Sequence, residues 1–169
     1  MARRAWAILG SAAFLAVPGV VAGLVPWWIS GWRLRPASLP AETLRWLGAA
    51  LIALGAAALV ESFARFALRG RGTPAPAFPT ERLVASGLYR HVRNPMYVAV
   101  VAVILGQALV FGSVALLEYG AVVWLMFHLF VALYEEPTLR RSFGADYEAF
   151  RAAVPRWIPR LTPWRGPAP

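Results

Sequence analysis

Residues 95–134 read PMYVAVVAVILGQALVFGSVALLEYGAVVWLMFHLFVALY, two apolar runs, Pro95 to Phe111 and Val114 to Tyr134, broken at Gly112-Ser113. Each run is about long enough to cross the roughly 30 Å of hydrocarbon in a bilayer as an α-helix. The Gly-Ser break predicts a tight helical hairpin. Outward from it lie two more runs of the same kind, Ala5 to Ile29 and Leu44 to Leu68. Arg3 and Arg4 precede the first, and Trp27, Trp28 and Trp32 stand at its far end where an interfacial belt belongs. A cleaved signal peptide has an apolar core of only about 7–15 residues, so the first run is expected to be a retained helix.

Composition agrees with the hairpin. Of 169 residues, 59% are hydrophobic and 15% charged, and mean hydropathy is +0.57; soluble domains run about 45–50% apolar and about 25% charged. Too little polar surface remains to cover the chain in water, which excludes a soluble enzyme, a disordered protein and a collagen-like fibre. The chain has no cysteine, hence no disulfide, thiol catalysis or thiolate metal site. No Walker motif and no G-x-G-x-x-G after a strand occur, nor a His/Asp/Glu set at metal-ligand spacing. His91 and His128 are the only histidines. No nucleic-acid or metal partner is expected.

Between the second and third runs, residues 69–94 are polar and basic, with Pro74, Pro76, Pro79, Gly70, Gly72 and Gly87. Long connections in compact proteins are usually functional or disordered. After the fourth run the chain turns amphipathic over 135–159. Leu139, Phe143, Tyr147, Phe150 and Val154 recur at helical spacing, with Arg140, Arg141, Asp146, Glu148 and Arg151 between them. Pro155, Pro159 and Pro163 end that helix and leave a short tail. The net charge of +9 comes from arginines alone. With both termini inside, fourteen arginines fall on the cytoplasmic side and only Arg33, Arg35 and Arg45 outside. The expected architecture is a single all-α integral membrane domain. It has four transmembrane helices, a cytoplasmic connecting loop and a C-terminal amphipathic helix, with loop and tail on one face.

Three places carry candidate chemistry. In Tyr89-Arg90-His91-Val92-Arg93-Asn94-Pro95-Met96-Tyr97, Asn94 suits an N-cap and Pro95 a first helical residue, which explains the dipeptide structurally. The functional alternative is an anion site, since a helix N-terminus with arginines and tyrosines around it favours negative charge. Glu135-Glu136-Pro137 is explained either as acids at a helix start or as carboxylates meeting a cation at the membrane boundary. On a helical path His128 lies two turns before Glu135 on the same face, a proton acceptor or simply an interhelical hydrogen bond. Glu61 and Arg65 are spaced for an i, i+4 ion pair.

The run Gly87-x-Tyr89-x-x-x-Arg93-Asn94-Pro95-x-Tyr97, then a hairpin, Glu135-Glu136, Phe143-Gly144-x-x-Tyr147 and Val154-Pro155-Arg156-Trp157-Ile158-Pro159 resembles the isoprenylcysteine carboxyl methyltransferases. The related phospholipid N-methyltransferases share that core. The resemblance covers roughly residues 78–159 and implies an S-adenosylmethionine-dependent integral membrane enzyme with a lipophilic methyl acceptor. It is expected in a bacterial inner membrane, with both termini cytoplasmic. Carried over residue by residue, it implies Tyr89, Arg93, Asn94, Pro95, Tyr97, Glu135 and Glu136 as cofactor-binding. His128 and Arg65, which the resemblance does not supply, are the expected catalytic candidates near the acceptor. Asn94 stands where the eukaryotic pattern has His, and Ala99 where it often has Gly; both departures bear on whether the acceptor is a prenylcysteine. A carboxylate acceptor needs no general base, whereas an amine acceptor would lose a proton to His128 or Glu135. A phospholipid amine acceptor and a non-catalytic membrane subunit are the alternatives.

Overall fold

A computed structural model describes residues 16–34, 39–69 and 83–166. Arg3, Arg4, the start of the first run and the proline-rich stretch Pro74 to Pro79 lie outside the described residues. Every regular element among the described residues is helical: α1 (Ala16–Ser30), α2 (Leu39–Arg69), α3 (Pro95–Phe111), α4 (Val114–Phe130) and α5 (Glu136–Ala153). A π turn, Val131–Glu135, joins α4 to α5 without a break, and a 3₁₀ turn, Gly87–Arg90, precedes α3.

Two continuous runs, Glu42–Arg65 and Val114–Ala153, are long and apolar enough to cross a bilayer, while α1 and α3 are shorter apolar helices. The helix of a soluble core would be mostly buried, yet only 17% and 22% of the two apolar windows are covered by protein. Trp28 and Trp46 stand 80% and 78% exposed. Such surfaces have lipid as their natural solvent.

The hairpin forms where the Gly-Ser break predicts it. Gly112 ends α3 in the left-handed conformation at φ +63°, and the Ser113 hydroxyl accepts the Leu116 N–H at 3.4 Å to start α4. Helices α2 and α3 pack backbone to backbone. A Cβ on Gly106 would lie 2.6 Å from the Gly48 carbonyl, and one on Gly55 2.9 Å from the Ala99 carbonyl. Without a hydrophobic drive between helices in lipid, this close contact supplies the attraction. Gly106→Val is expected to cost about 2 kcal/mol by overpacking. Gly19→Ala, which meets nothing within 4 Å, should be neutral or slightly stabilising. Denaturation midpoints in detergent micelles check both signs.

Two prolines shape the helices in the same way. Pro26 and Pro137 have no N–H and crowd the carbonyl of the preceding turn, and each follows a π turn, Val20–Leu24 and Val131–Glu135. In each, the residue before the proline donates to the first residue of the π turn, Val25 to Val20 and Glu136 to Val131. Carbonyls that Pro26 cannot serve are taken by neighbouring helices. Gln107 Nε2 donates to Ala22 O at 2.6 Å and Tyr119 Oη to Val21 O at 2.9 Å. Backbone groups freed inside lipid must find partners in this way.

The amphipathic tail forms as its periodicity predicts. Tyr147, Phe150 and Val154 are buried with Leu139, Phe143 and Trp164 around them. Gly144, at φ +50° and ψ −122°, breaks the helical path within α5. The tail beyond Pro155 is not loose: it folds back as a strap across residues 90–94. Arg93 N–H donates to Pro155 O at 2.9 Å, Arg160 N–H to His91 O at 2.9 Å and Trp164 N–H to Arg90 O at 2.9 Å. His91 Nδ1 answers at 2.8 Å from the Arg160 carbonyl, and the Arg90 guanidinium donates to the Trp164 carbonyl.

Candidate functional site

Three pieces far apart in sequence meet at one end of the helices: the Gly87–Arg90 turn with the entry to α3, the α4–α5 junction, and the strap. The turn is anchored by Val84, Tyr89 and Met96, which bury together against Leu59 and Phe63 of α2. Gly87 has φ +59°, and a Cβ there would land on the Glu61 carboxylate and the Arg65 guanidinium. That close approach requires glycine. Arg65 Nε donates to Glu61 Oε1 at 2.7 Å, the i, i+4 pair expected from spacing. Burial pushes the Tyr89 phenol well above its ordinary pKa, and the Glu135 and Glu61 carboxylates push the same way. Tyr89 therefore stays neutral and able to donate.

Tyr97, in the first turn of α3, donates to Glu135 Oε2 at 2.9 Å and packs its ring on Phe127 with centroids 4.6 Å apart. Beside this pair sits a buried ion cluster. Glu136, 5% exposed, accepts from Arg93 Nη1 at 3.0 Å on Oε1. Arg156 grips it from the other side, Nε to Oε1 at 2.7 Å and Nη2 to Oε2 at 2.9 Å. Arg151 Nε stands 3.9 Å from Oε2 and also pairs with Glu148. Arg93 Nη1 further reaches Tyr147 Oη at 3.4 Å.

The structure thus brings Tyr89, Arg93, Asn94, Pro95, Tyr97, Glu135 and Glu136 into one neighbourhood, but gives several of them different tasks from those their spacing suggests. Pro95 is the first helical residue and is buried, as expected. Asn94 occupies the N-cap position without capping: its Nδ2 donates instead to Arg156 O at 3.2 Å, pinning the strap. Glu136 has both oxygens committed within the protein, whereas Glu135 has Tyr97 as its hydrogen-bond partner.

His128 does not share a face with Glu135. The π turn between them carries an extra residue, and one residue is about 100° of rotation on a helix. Phe127 consequently meets Tyr97, while His128 turns toward the strap and accepts from Trp157 Nε1 at 3.1 Å, with Trp124 stacked at 5.4 Å. An indole only donates, so Nδ1 is the acceptor, Nε2 carries the proton, and the imidazole has no free lone pair. Arg65 lies in a different cluster, beside Glu61 and the Gly87 turn.

The sequence places Tyr147 on the apolar face of the tail helix and Arg156 and Trp157 in the motif after it, but gives none of the three a part in the site. A buried carboxylate at Glu136 demands a cation, but the chain holds 17 arginines, and only the strap's path brings Arg156 to join Arg93 there.

The phospholipid methyltransferase family profile matches residues 43–146. The chain belongs to that family. The match to the phospholipid methyltransferases begins in α2 and ends in α5, taking in Arg65, the Tyr89–Tyr97 segment, His128 and both glutamates but stopping before the strap. A protein-S-isoprenylcysteine O-methyltransferase of Schizosaccharomyces pombe (strain 972 / ATCC 24843) is 37% identical over 80 residues, 47% of this chain and 34% of that protein. The chain therefore aligns with about a third of that relative's length. No solved structure matches it significantly.

Proposed function

We propose that the protein is a four-span membrane methyltransferase that transfers a methyl group from S-adenosylmethionine to a lipophilic acceptor at the cytoplasmic face, both termini being cytoplasmic. The supporting observation is the joining of the Tyr97–Glu135 pair and the Arg93–Glu136–Arg156 cluster at one end of lipid-facing helices.

The donor set suits this cofactor. S-adenosylmethionine is a sulfonium with an amino-acid carboxylate, an ammonium group and a ribose diol, and when bound it supplies an electrophilic methyl. Among the described residues, Arg93 Nε and Glu61 Oε2 are buried without a hydrogen-bond partner. The unused donor on Arg93 suits an anionic part of such a ligand, and the unused acceptor on Glu61, in the separate cluster with Arg65, suits a donor group. Glu135 would take the cationic or diol part, Arg93 the carboxylate, and Tyr89 and Tyr97 would wall the site. Alignment of acceptor, methyl and sulfur supplies much of the rate in such a displacement, which is what a rigid, strap-held shell provides. With His128 committed to Trp157, Glu135 is the base available to an amine acceptor.

Carboxyl O-methylation of the isoprenylcysteine type is the leading reading, on the likeness to the yeast O-methyltransferase. Phospholipid amine N-methylation is the second, favoured by the family profile. Methyl-labelled S-adenosylmethionine supplied to the purified protein with lipid extract from its host distinguishes them. Label released by mild base as methanol is expected for an ester; label that survives base means a nitrogen acceptor. No label and no cofactor binding would overturn the methyltransferase reading.

A further inference from the structure

We infer that Arg156, on the strap beyond the family match, is a positioning residue for donor binding that acts through Glu136 on Arg93. The inference rests on the reading above and assigns the two adjacent glutamates different work, Glu135 facing the ligand and Glu136 facing the protein.

The Arg156 guanidinium meets both oxygens of Glu136, at 2.7 and 2.9 Å. A two-pronged hold of this kind fixes the plane of a carboxylate as well as its place. The same Oε1 that takes Arg156 Nε takes Arg93 Nη1 at 3.0 Å, so the plane of Glu136 sets the direction of the Arg93 guanidinium. The main chain repeats the hold. Arg93 N–H donates to the carbonyl of Pro155, next to Arg156, and Asn94 Nδ2 to the carbonyl of Arg156 itself. Arg93 is thereby fixed at its backbone and at its head by one short piece of strap.

What is held this firmly is not finished. Arg93 has a side chain only 10% exposed, and its Nε is buried without a partner among the described residues. Glu136 is shared between two guanidiniums at hydrogen-bond distance, so Arg93 holds only part of that carboxylate, on Nη1, and keeps hydrogen-bonding capacity to spare. A buried, oriented, under-used guanidinium calls for an anionic group, and the carboxylate of an amino-acid-bearing methyl donor has that chemistry.

The test compares wild type, Arg156→Ala and Arg156→Lys as full chains in lipid nanodiscs. It measures equilibrium binding of S-adenosylmethionine, donor KM, kcat at saturating donor, and melting temperature. Arg156→Ala is expected to raise donor Kd and KM about tenfold or more while kcat stays within about threefold. Arg156→Lys should recover melting more fully than binding, because an ammonium is a point charge without the planar fork. Melting that falls while donor Kd and KM stay at wild-type values would overturn the inference and leave Arg156 as a fold-holding residue only. Should Arg156→Ala fail to fold, Arg156→Lys makes the same comparison. A well-folded wild type that binds no donor sinks the functional reading, and this inference with it; wild-type binding with unaltered variants sinks the inference alone.

Discussion

Glu136→Gln is expected to destabilise the protein by about 3 kcal/mol, the largest loss of stability from any single change at the site. Removing one partner of a buried ion pair leaves the other charge uncompensated, which typically costs about 3–5 kcal/mol. Here Arg93, 10% exposed, is the group stranded. The lower end of the range applies because Arg156 is 27% exposed and can turn toward water. Glutamine keeps the shape, so the loss reports charge and not a cavity. Arg151→Ala is the contrast. Its nitrogen stands 3.9 Å from Glu136 with a side chain 37% exposed, and such pairs contribute at most about 1 kcal/mol. Thermal and chemical denaturation in matched lipid or detergent measure both. Equal losses from the two variants would show that the cluster is not centred on Glu136.

Glu135→Gln is expected to do the reverse, leaving stability near wild type and weakening S-adenosylmethionine binding roughly thirtyfold. A hydrogen bond to a charged group contributes about 1.5–3 kcal/mol, and about 2 kcal/mol is close to thirtyfold in affinity. Glutamine still offers Tyr97 an acceptor oxygen in place of Oε2, now 2.9 Å from the phenol, so the local packing survives. What disappears is the negative charge a sulfonium or ammonium group would meet. Donor titration by calorimetry on the folded variant decides it. Unchanged affinity would remove Glu135 from the binding site. The pair of variants also separates the adjacent glutamates: one is expected to fail in binding, the other in folding.

Much of the fold was legible along the chain because it depends on local features. The Gly112-Ser113 break and the helical period of Leu139, Phe143, Tyr147, Phe150 and Val154 act over a few residues, and each reappears where periodicity and turn chemistry put it. The Tyr89–Tyr97 segment and Glu135-Glu136 could be marked as one site because family motifs and charge bias brought them to the same end. Division of labour within the site was not legible. The seven-residue interval from His128 to Glu135 predicts a shared face only if every turn between them is α-helical, and Pro137 forces a π turn that rotates them apart. Asn94 reads as a cap until the strap offers it a carbonyl.

Residue order alone showed a chain too apolar for water, the hairpin turn at Gly112-Ser113 and the short motifs that hold its polar groups, since hydropathy, caps and breakers are properties of neighbouring residues. It took the folded chain to show that Arg156 joins Arg93 on Glu136, that Glu135 pairs with Tyr97 instead, and that His128 faces a tryptophan. Those outcomes depend on the return of residues 154–164 across residues 90–94, a meeting of segments more than sixty positions apart, and no local propensity encodes which of many arginines arrives.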